Sequence, residues 1–290
     1  IVTHLEHHAN IVPWQMVCEQ TGAELVVAPI NDQGEIELEA MLDLIDDKTF
    51  LIGMTHVSNA LGTVCPVRKV VEHAKALGIP VLVDGAQGVP HLDIDVQELG
   101  CDFYAFSGHK MFGPTGTGVL YGREALLEAM PPWQGGGDMI LEVTFDKTIY
   151  NDLPYKFEAG TPNIAGVVGL GAAIDYLQAI GMPRIAAYEH ELHDYMVGEL
   201  KKVEGIRLIG EARDKASVQS FLLDDIHSHD LGTILDHQGV AIRTGHHCAM
   251  PAMQRLGISG TSRASVALYN NRDDIDRLVD ALSKAKEIFA

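Results

Sequence analysis

Residues 1–180 alternate strand and helix signals, and the sequence therefore predicts an α/β fold with a mostly parallel sheet. Short apolar, β-branched runs at 1–5, 24–28, 50–55, 79–83, 102–106 and 117–121 are separated by amphipathic helical patterns at 11–21, 37–45, 66–76 and 123–129. The helices carry their own punctuation: Asn10 stands where the first should be capped, and Gly22 and Gly78 stand where 11–21 and 66–76 should stop. The composition, 47% hydrophobic and 21% charged over 290 residues, supplies enough apolar surface for a large domain plus a smaller one.

The second half changes character. Pro131-Pro132-Trp133 and Gly135-Gly136-Gly137 break any regular pattern, so 131–160 reads as a loop or lid. Helices are expected at 164–180 and 183–203, with Gly181-Met182-Pro183 as the break. The glycines at 166, 169 and 171 point to close helix packing. Strands at 206–209 and 217–223, a helix at 230–238, a strand at 240–242, a loop at 243–261, a strand at 262–268 and a helix at 271–288 complete a smaller α+β unit. The expected domains are 1–180, large, and 181–290, small.

Forty acidic residues against 21 Lys and Arg give a formal charge of −19, which opposes binding to nucleic acid or an anionic membrane. The most apolar run, Ile164 to Ile174, is interrupted by glycines and stops at Asp175, short of a membrane span. Cys18, Cys65, Cys101 and Cys248 lie far apart without a CxxC pair, the pattern of a reducing compartment, and a cytoplasmic location is expected. No signal peptide is visible. Ile1 opens inside a strand pattern, so an N-terminal part of a longer protein is expected before it.

In a parallel sheet, ligands gather at the carboxyl ends of strands. Two chemically paired residues fall there. Lys110, in Ser107-Gly-His-Lys110, follows the run 101–106, and Asp84, in Asp84-Gly-Ala-Gln87, ends the strand 79–83. A strand-end lysine taken alone is more often a solvated charge. With an aspartate at another strand end it matches the needs of pyridoxal phosphate (PLP). The lysine holds the aldehyde and the carboxylate keeps the pyridine nitrogen protonated.

Four further segments carry chemistry-bearing residues. Arg243-Thr-Gly-His-His-Cys248-Ala-Met-Pro251 surrounds a cysteine with groups that stabilise a thiolate, although a buried turn cysteine is the commoner reading of such a segment alone. A metal site combining His246, His247 and Cys248 with His4, His7 and His8 is not expected, because adjacent side chains rarely face one centre and no second ligand set has finger-like spacing. In Glu6-His7-His8-Ala9-Asn10, His7 could stack on a flat ring or serve as a helix-end histidine. Asn59 reads either as a partner for a ring substituent or as a turn residue. Arg263 reads either as a bidentate partner for a substrate carboxylate or as a surface ion-pair residue. Cys18, Cys65 and Cys101 read as packing residues.

These segments, with Thr55-His-Val-Ser-Asn59 and Glu158-Ala-Gly-Thr161-Pro-Asn163, occur in order along nearly the whole chain and resemble a SufS-type cysteine desulfurase of the SufS/CsdA branch. The resemblance implies a class V, fold-type I PLP enzyme whose large domain holds a mostly parallel, seven-stranded-type sheet. It implies that Lys110 bonds the cofactor aldehyde and that His7 stacks on the ring. Asp84 would pair with the ring nitrogen, Gln87 with the phenolic oxygen, and Ser107 and His109 with the phosphate. Asn59 and Arg263, with Arg243 nearby, would bind the substrate carboxylate. Cys248 would take sulfur from L-cysteine as a persulfide. Thr161 would reach the phosphate held by the other subunit of a homodimer. A SufE- or SufU-type protein would accept the sulfur for iron–sulfur cluster assembly. Family members begin well before Ile1, with a Gly-Thr-Thr-like loop that helps cradle the phosphate. The alternatives are L-selenocysteine lyase activity on the same scaffold, or a non-catalytic truncated fragment.

Overall fold

The computed structural model describes residues 1–224 and 226–289. In chain order its first part holds β1 (Val2–Thr3), α1 (Val12–Thr21), β2 (Val27–Ala28), α2 (Leu38–Asp43), β3 (Ile52–Thr55), α3 (Val67–Ala76), β4 (Val81–Asp84), α4 (Val96–Leu99), β5 (Phe103–Ser107), β6 (Gly118–Gly122) and α5 (Glu124–Ala129). Then come β7 (Ile140–Val143), β8 (Thr148–Tyr150), α6 (Ile164–Ile180) and α7 (Met182–Leu200). The last part holds β9 (Ile206–Ile209), β10 (Val218–Leu223), α8 (Ser228–His237), β11 (Arg243–Gly245), α9 (Met250–Arg255), β12 (Thr261–Ser265) and α10 (Arg272–Phe289).

The mixed α/β architecture, with mostly parallel pairing among β1–β6, is as the alternation predicts. β3, β4 and β5 run parallel in that order, and β6 closes the edge antiparallel. β1 and β2 form a second parallel pair, which the bond from Gly53 N to Ile1 O, 2.8 Å, joins to β3. β3 is buried along its whole length, as parallel strands covered on both faces must be. Ile52, Met54, Val81 and Val83 from the strands meet Val67, Val70 and Ala74 from α3 in one core. Gly22 ends α1 in a left-handed conformation, its N–H returning to Cys18 O, as its position in the sequence predicts.

The last part is an antiparallel sheet in the order β11-β12-β10-β9. A second core forms where Phe221 and Leu223 meet Leu231, Leu235, Leu278 and Leu282 from α8 and α10. Ala249, Ala252 and Met253 pack instead into the first core. The stretch around Cys248 is therefore docked on the parallel sheet although it follows β11 in sequence.

Several local expectations are corrected. The segment 131–160 contains the hairpin β7–β8, whose strands are too short and too exposed to signal above the surrounding Pro and Gly. The strand expected at 240–242 begins at Arg243, where pairing with β12 starts. The loop expected at 243–261 contains α9, with Pro251 in its first turn, where a missing N–H costs nothing. Asn10 does not cap α1. Ile11 occupies that position, and the Asn10 amide is bonded to Glu6 instead.

Candidate active site

The carboxyl ends of β4 and β5 place Asp84 and, in the turn that follows β5, Lys110. Asp84 is the last residue of β4, its Oδ1 accepting from Ala86 N at 2.9 Å in a tight turn. Below that turn lies Tyr104 on β5. A Cβ at Gly85 would stand 1.9 Å from its ring, so only glycine lets the loop approach so closely. The Tyr104 hydroxyl meets His56 Nδ1 at 3.0 Å, and burial pushes His56 down to about 4, keeping it neutral.

Lys110 lies in the short 3₁₀ turn Gly108–Met111 directly after β5, half-buried. Burial holds its amine below the ordinary lysine range. Asp84 and Cys248 oppose that lowering, whereas Arg263 adds to it. Lys110 makes no ion pair among the described residues, which leaves a desolvated amine available for covalent chemistry.

His7 sits on the turn between β1 and α1, where its Nδ1 accepts from Ala9 N at 3.0 Å. Burial lowers its pKa, with the Lys110 cation acting in the same sense and Asp84 against it. Beneath this turn Glu6 is fully buried. Its Oε1 accepts from Thr3 Oγ1 at 2.6 Å and from Thr55 N at 3.0 Å, and its Oε2 accepts from Asn10 Nδ2 at 2.6 Å. Burial nevertheless pushes Glu6 up to about 7. The carboxyl group ties the His7 turn to the end of β3, a function the motif did not reveal.

Cys248 lies half-buried between β11 and α9. His247 and Cys248 both take left-handed backbone angles, φ 54° and 55°, next to Gly245 at 102°. The His247 ring is fixed from below: its Nε2 meets Thr261 Oγ1 at 2.8 Å, and the Thr261 hydroxyl donates to Ser220 Oγ, whose own proton goes to Ala60 O. That order of donors puts the ring proton on Nε2 and leaves a buried Nδ1 without a hydrogen-bond partner. Burial lowers His247 to about 4, which agrees with a neutral ring.

Arg243 on β11 lies directly across the antiparallel ladder from Arg263 on β12. Like charges in opposed positions repel, and neither arginine forms an ion pair among the described residues. Arg263 Nη1 donates to Asn59 O at 2.6 Å, while its Nε is buried without a partner. Asn59 commits its Nδ2 to His247 O and keeps a buried, unpartnered Oδ1. Asn59 thus presents an acceptor, which suits an O–H on a ring, while the arginines present the donors that suit a carboxylate.

The donor set fits PLP. A desolvated amine, a strand-end carboxylate, an imidazole on the turn above and an unpartnered acceptor converge on one region. Gln87 is half-buried in the turn after Asp84, and Ser107 ends β5 just before the Lys110 turn. His109 is exposed on that turn. Thr161 lies in the exposed loop before α6, and no recorded bond joins it to the other site residues.

A family model for class-V aminotransferases matches residues 1–278. The chain is 50% identical over 288 residues to a probable cysteine desulfurase of Xylella fastidiosa (strain 9a5c), covering 99% of this chain and 69% of that protein. It is 51% identical over 289 residues to a cysteine desulfurase of Yersinia pestis (strain Pestoides F), covering 99% and 71%. The crystal structure of the cysteine desulfurase CsdA from Escherichia coli superposes with a TM-score of 0.95 at 43% identity, over 99% of this chain and 71% of that one. With the family model spanning nearly the whole chain and about half the residues shared with the Xylella and Yersinia proteins, the chain belongs to the class-V aminotransferase family, among its PLP-dependent cysteine desulfurases.

Proposed function

We propose that Lys110 and Cys248 divide the work of a cysteine desulfurase that converts L-cysteine to L-alanine and keeps the sulfur on Cys248. The observation that carries this reading is their shared electrostatic neighbourhood: Asp84, Arg263 and Cys248 all act on the Lys110 amine, and Lys110 and Asp84 both act on His7. When bound, PLP supplies an aldehyde for the substrate amine and a ring that delocalises the electron pair left at Cα. Asp84 keeps a proton on the ring nitrogen, His7 covers the ring face, and the Asn59 Oδ1 accepts from a ring hydroxyl. Gln87 meets the phenolic oxygen, and Ser107 and His109 bind the phosphate. Arg243 and Arg263 hold the substrate carboxylate. Lys110, its amine held below the ordinary lysine range by burial, moves the Cα proton.

Cys248 Sγ, as thiolate, takes the substrate sulfur. The S–S bond forms as the Cβ–S bond breaks, Cβ gains a proton, and the net products are L-alanine and Cys248–S–SH. The persulfide then passes to a SufE- or SufU-type acceptor for iron–sulfur cluster assembly in the cytoplasm. The acting unit is a homodimer in which Thr161 reaches the partner's phosphate. Support for a dimer comes from the exposed apolar side chains of Ile164, Val167 and Val168 on α6 and of Leu141, Val143 and Phe145 at the hairpin. Residues 1–180 form the cofactor-binding domain and 181–290 the small domain. Among the described residues no single helix is long and apolar enough to cross a membrane.

The test is a visible absorbance spectrum with added PLP, followed by L-cysteine turnover. A Schiff-base band that disappears in Lys110→Ala, with alanine formed only by the unaltered protein, is expected. A folded protein with no such band would overturn the reading.

A further inference from the structure

We infer that His8 and His246 are positioning residues that clamp the Cys248 loop against the turn carrying His7, a role that rests on Cys248 being the sulfur carrier. Side-chain-bearing residues disfavour left-handed angles, and two in succession persist only where the surroundings over-determine them. His247 and Cys248 are such a pair, so the loop needs external restraint.

The restraint comes from two imidazoles, the His8 main-chain N–H and the Asn59 side-chain amide. Cys248 N donates to His246 Nδ1 at 3.1 Å, and His8 N donates to Cys248 O at 2.8 Å. Met250 N donates to His8 Nε2 at 3.1 Å, and Asn59 Nδ2 holds His247 O. Both main-chain polar groups of Cys248 are thus bound to histidines, as is the N–H two residues on. The His8 and His246 rings lie against each other, centroids 5.6 Å apart and inclined by 31°.

The bonds fix each tautomer. A neutral imidazole has one acceptor nitrogen, and here it is Nε2 in His8 and Nδ1 in His246. Each ring spends its acceptor on the backbone of the loop. The consequence is a mechanical link between the two halves of the reaction. His7 and His8 are consecutive, so the turn that places one ring over the cofactor also sets where the Cys248 backbone lies. An error of about 1 Å in such placement costs on the order of a hundredfold in rate.

The test compares truncating with acceptor-preserving substitutions. Gln at position 8 carries an oxygen near the place of Nε2, and Asn at position 246 carries one near Nδ1. In the protein without PLP, the rate of Cys248 alkylation by iodoacetamide, read by mass spectrometry of its peptide, is expected to change at least about fivefold in His8→Ala and His246→Ala. It should remain near the original value in His8→Gln and His246→Asn. With PLP added, the Ala variants should keep the absorbance band and the KM for L-cysteine while kcat falls tenfold or more. Unchanged alkylation in both Ala variants overturns the clamp. So does equal behaviour of the Ala and the acceptor-preserving variants, which is the signature of a merely structural role. Should His8→Ala fail to fold, the His246 pair gives the same comparison alone. Cys248→Ala separates the two readings: if it still desulfurates L-cysteine, the carrier assignment fails, whereas the alkylation result judges the clamp by itself.

Discussion

Lys110 and Cys248 are held by opposite means. Lys110 follows β5, a strand paired on both sides, and its turn needs no long-range side-chain bond to keep its shape. Cys248 occupies a left-handed position in a loop held by His8, His246 and Asn59, residues from three other parts of the chain or loop. The difference matches the tasks proposed for each. The lysine would meet one fixed atom, for which a sheet is the stiffest support. The cysteine would meet the substrate sulfur and then an external acceptor, for which a loop closed by breakable bonds is suited.

The sharpest way to break this comparison is at the lysine. Lys110→Ala should lower L-cysteine turnover on the order of 10⁴-fold, with alanine formation as the readout and the melting temperature little changed. Cys248→Ala should lower L-cysteine turnover by about a thousandfold or more while the PLP absorbance band stays. If L-selenocysteine is still turned over, the better leaving atom has made the loop dispensable and the lysine alone essential. Gly85→Ala should destabilise the fold by about 1–3 kcal/mol through overpacking on Tyr104, measured by chemical denaturation; a smaller cost would mean that the sheet end is softer than its close packing implies.

The mildest effect is expected at Glu6. Its folded pKa of about 7 is raised above the ordinary 4.5, so folding favours the protonated form. The stability this contributes is present below pH 4.5 and lost as the pH rises through 7. Glu6→Gln, compared with the unaltered protein by denaturation across that window, should flatten the slope. An identical slope in both proteins would mean that the carboxyl group titrates as if exposed.

The same contrast governs what could be read from the sequence. Strand ends announce themselves locally, because an apolar β-branched run followed by Asp84-Gly85 or by Ser107-Gly108 needs no knowledge of distant residues. Lys110 and Asp84 therefore stand out in the sequence, and in the structure Asp84 lies near enough to act on the Lys110 amine. The Cys248 segment was legible as a composition, but not its backbone, because nothing local calls for φ of 55° at a cysteine. Apart from His246, the partners that hold it lie far off in sequence, His8 by 242 residues from Met250 and Asn59 by 188 from His247. Glu6 was hidden in the same way: one of its donors, Thr55 N, is 49 residues distant. Pro251 could have revealed α9, since proline in a first helical turn is a start signal. The hairpin β7–β8 offered no such signal, as its short strands are exposed and have no buried face to impose alternation.

The opposed arginines carry one further consequence. Arg243 and Arg263 stand opposite each other across β11 and β12, and among the described residues neither forms an ion pair, leaving a positive charge that a free α-carboxylate would neutralise. A cysteine inside a polypeptide has no such carboxylate, because its carbonyl carbon is already an amide. If the two arginines hold the substrate carboxylate as proposed, charge alone would favour free cysteine over the same thiol inside a polypeptide.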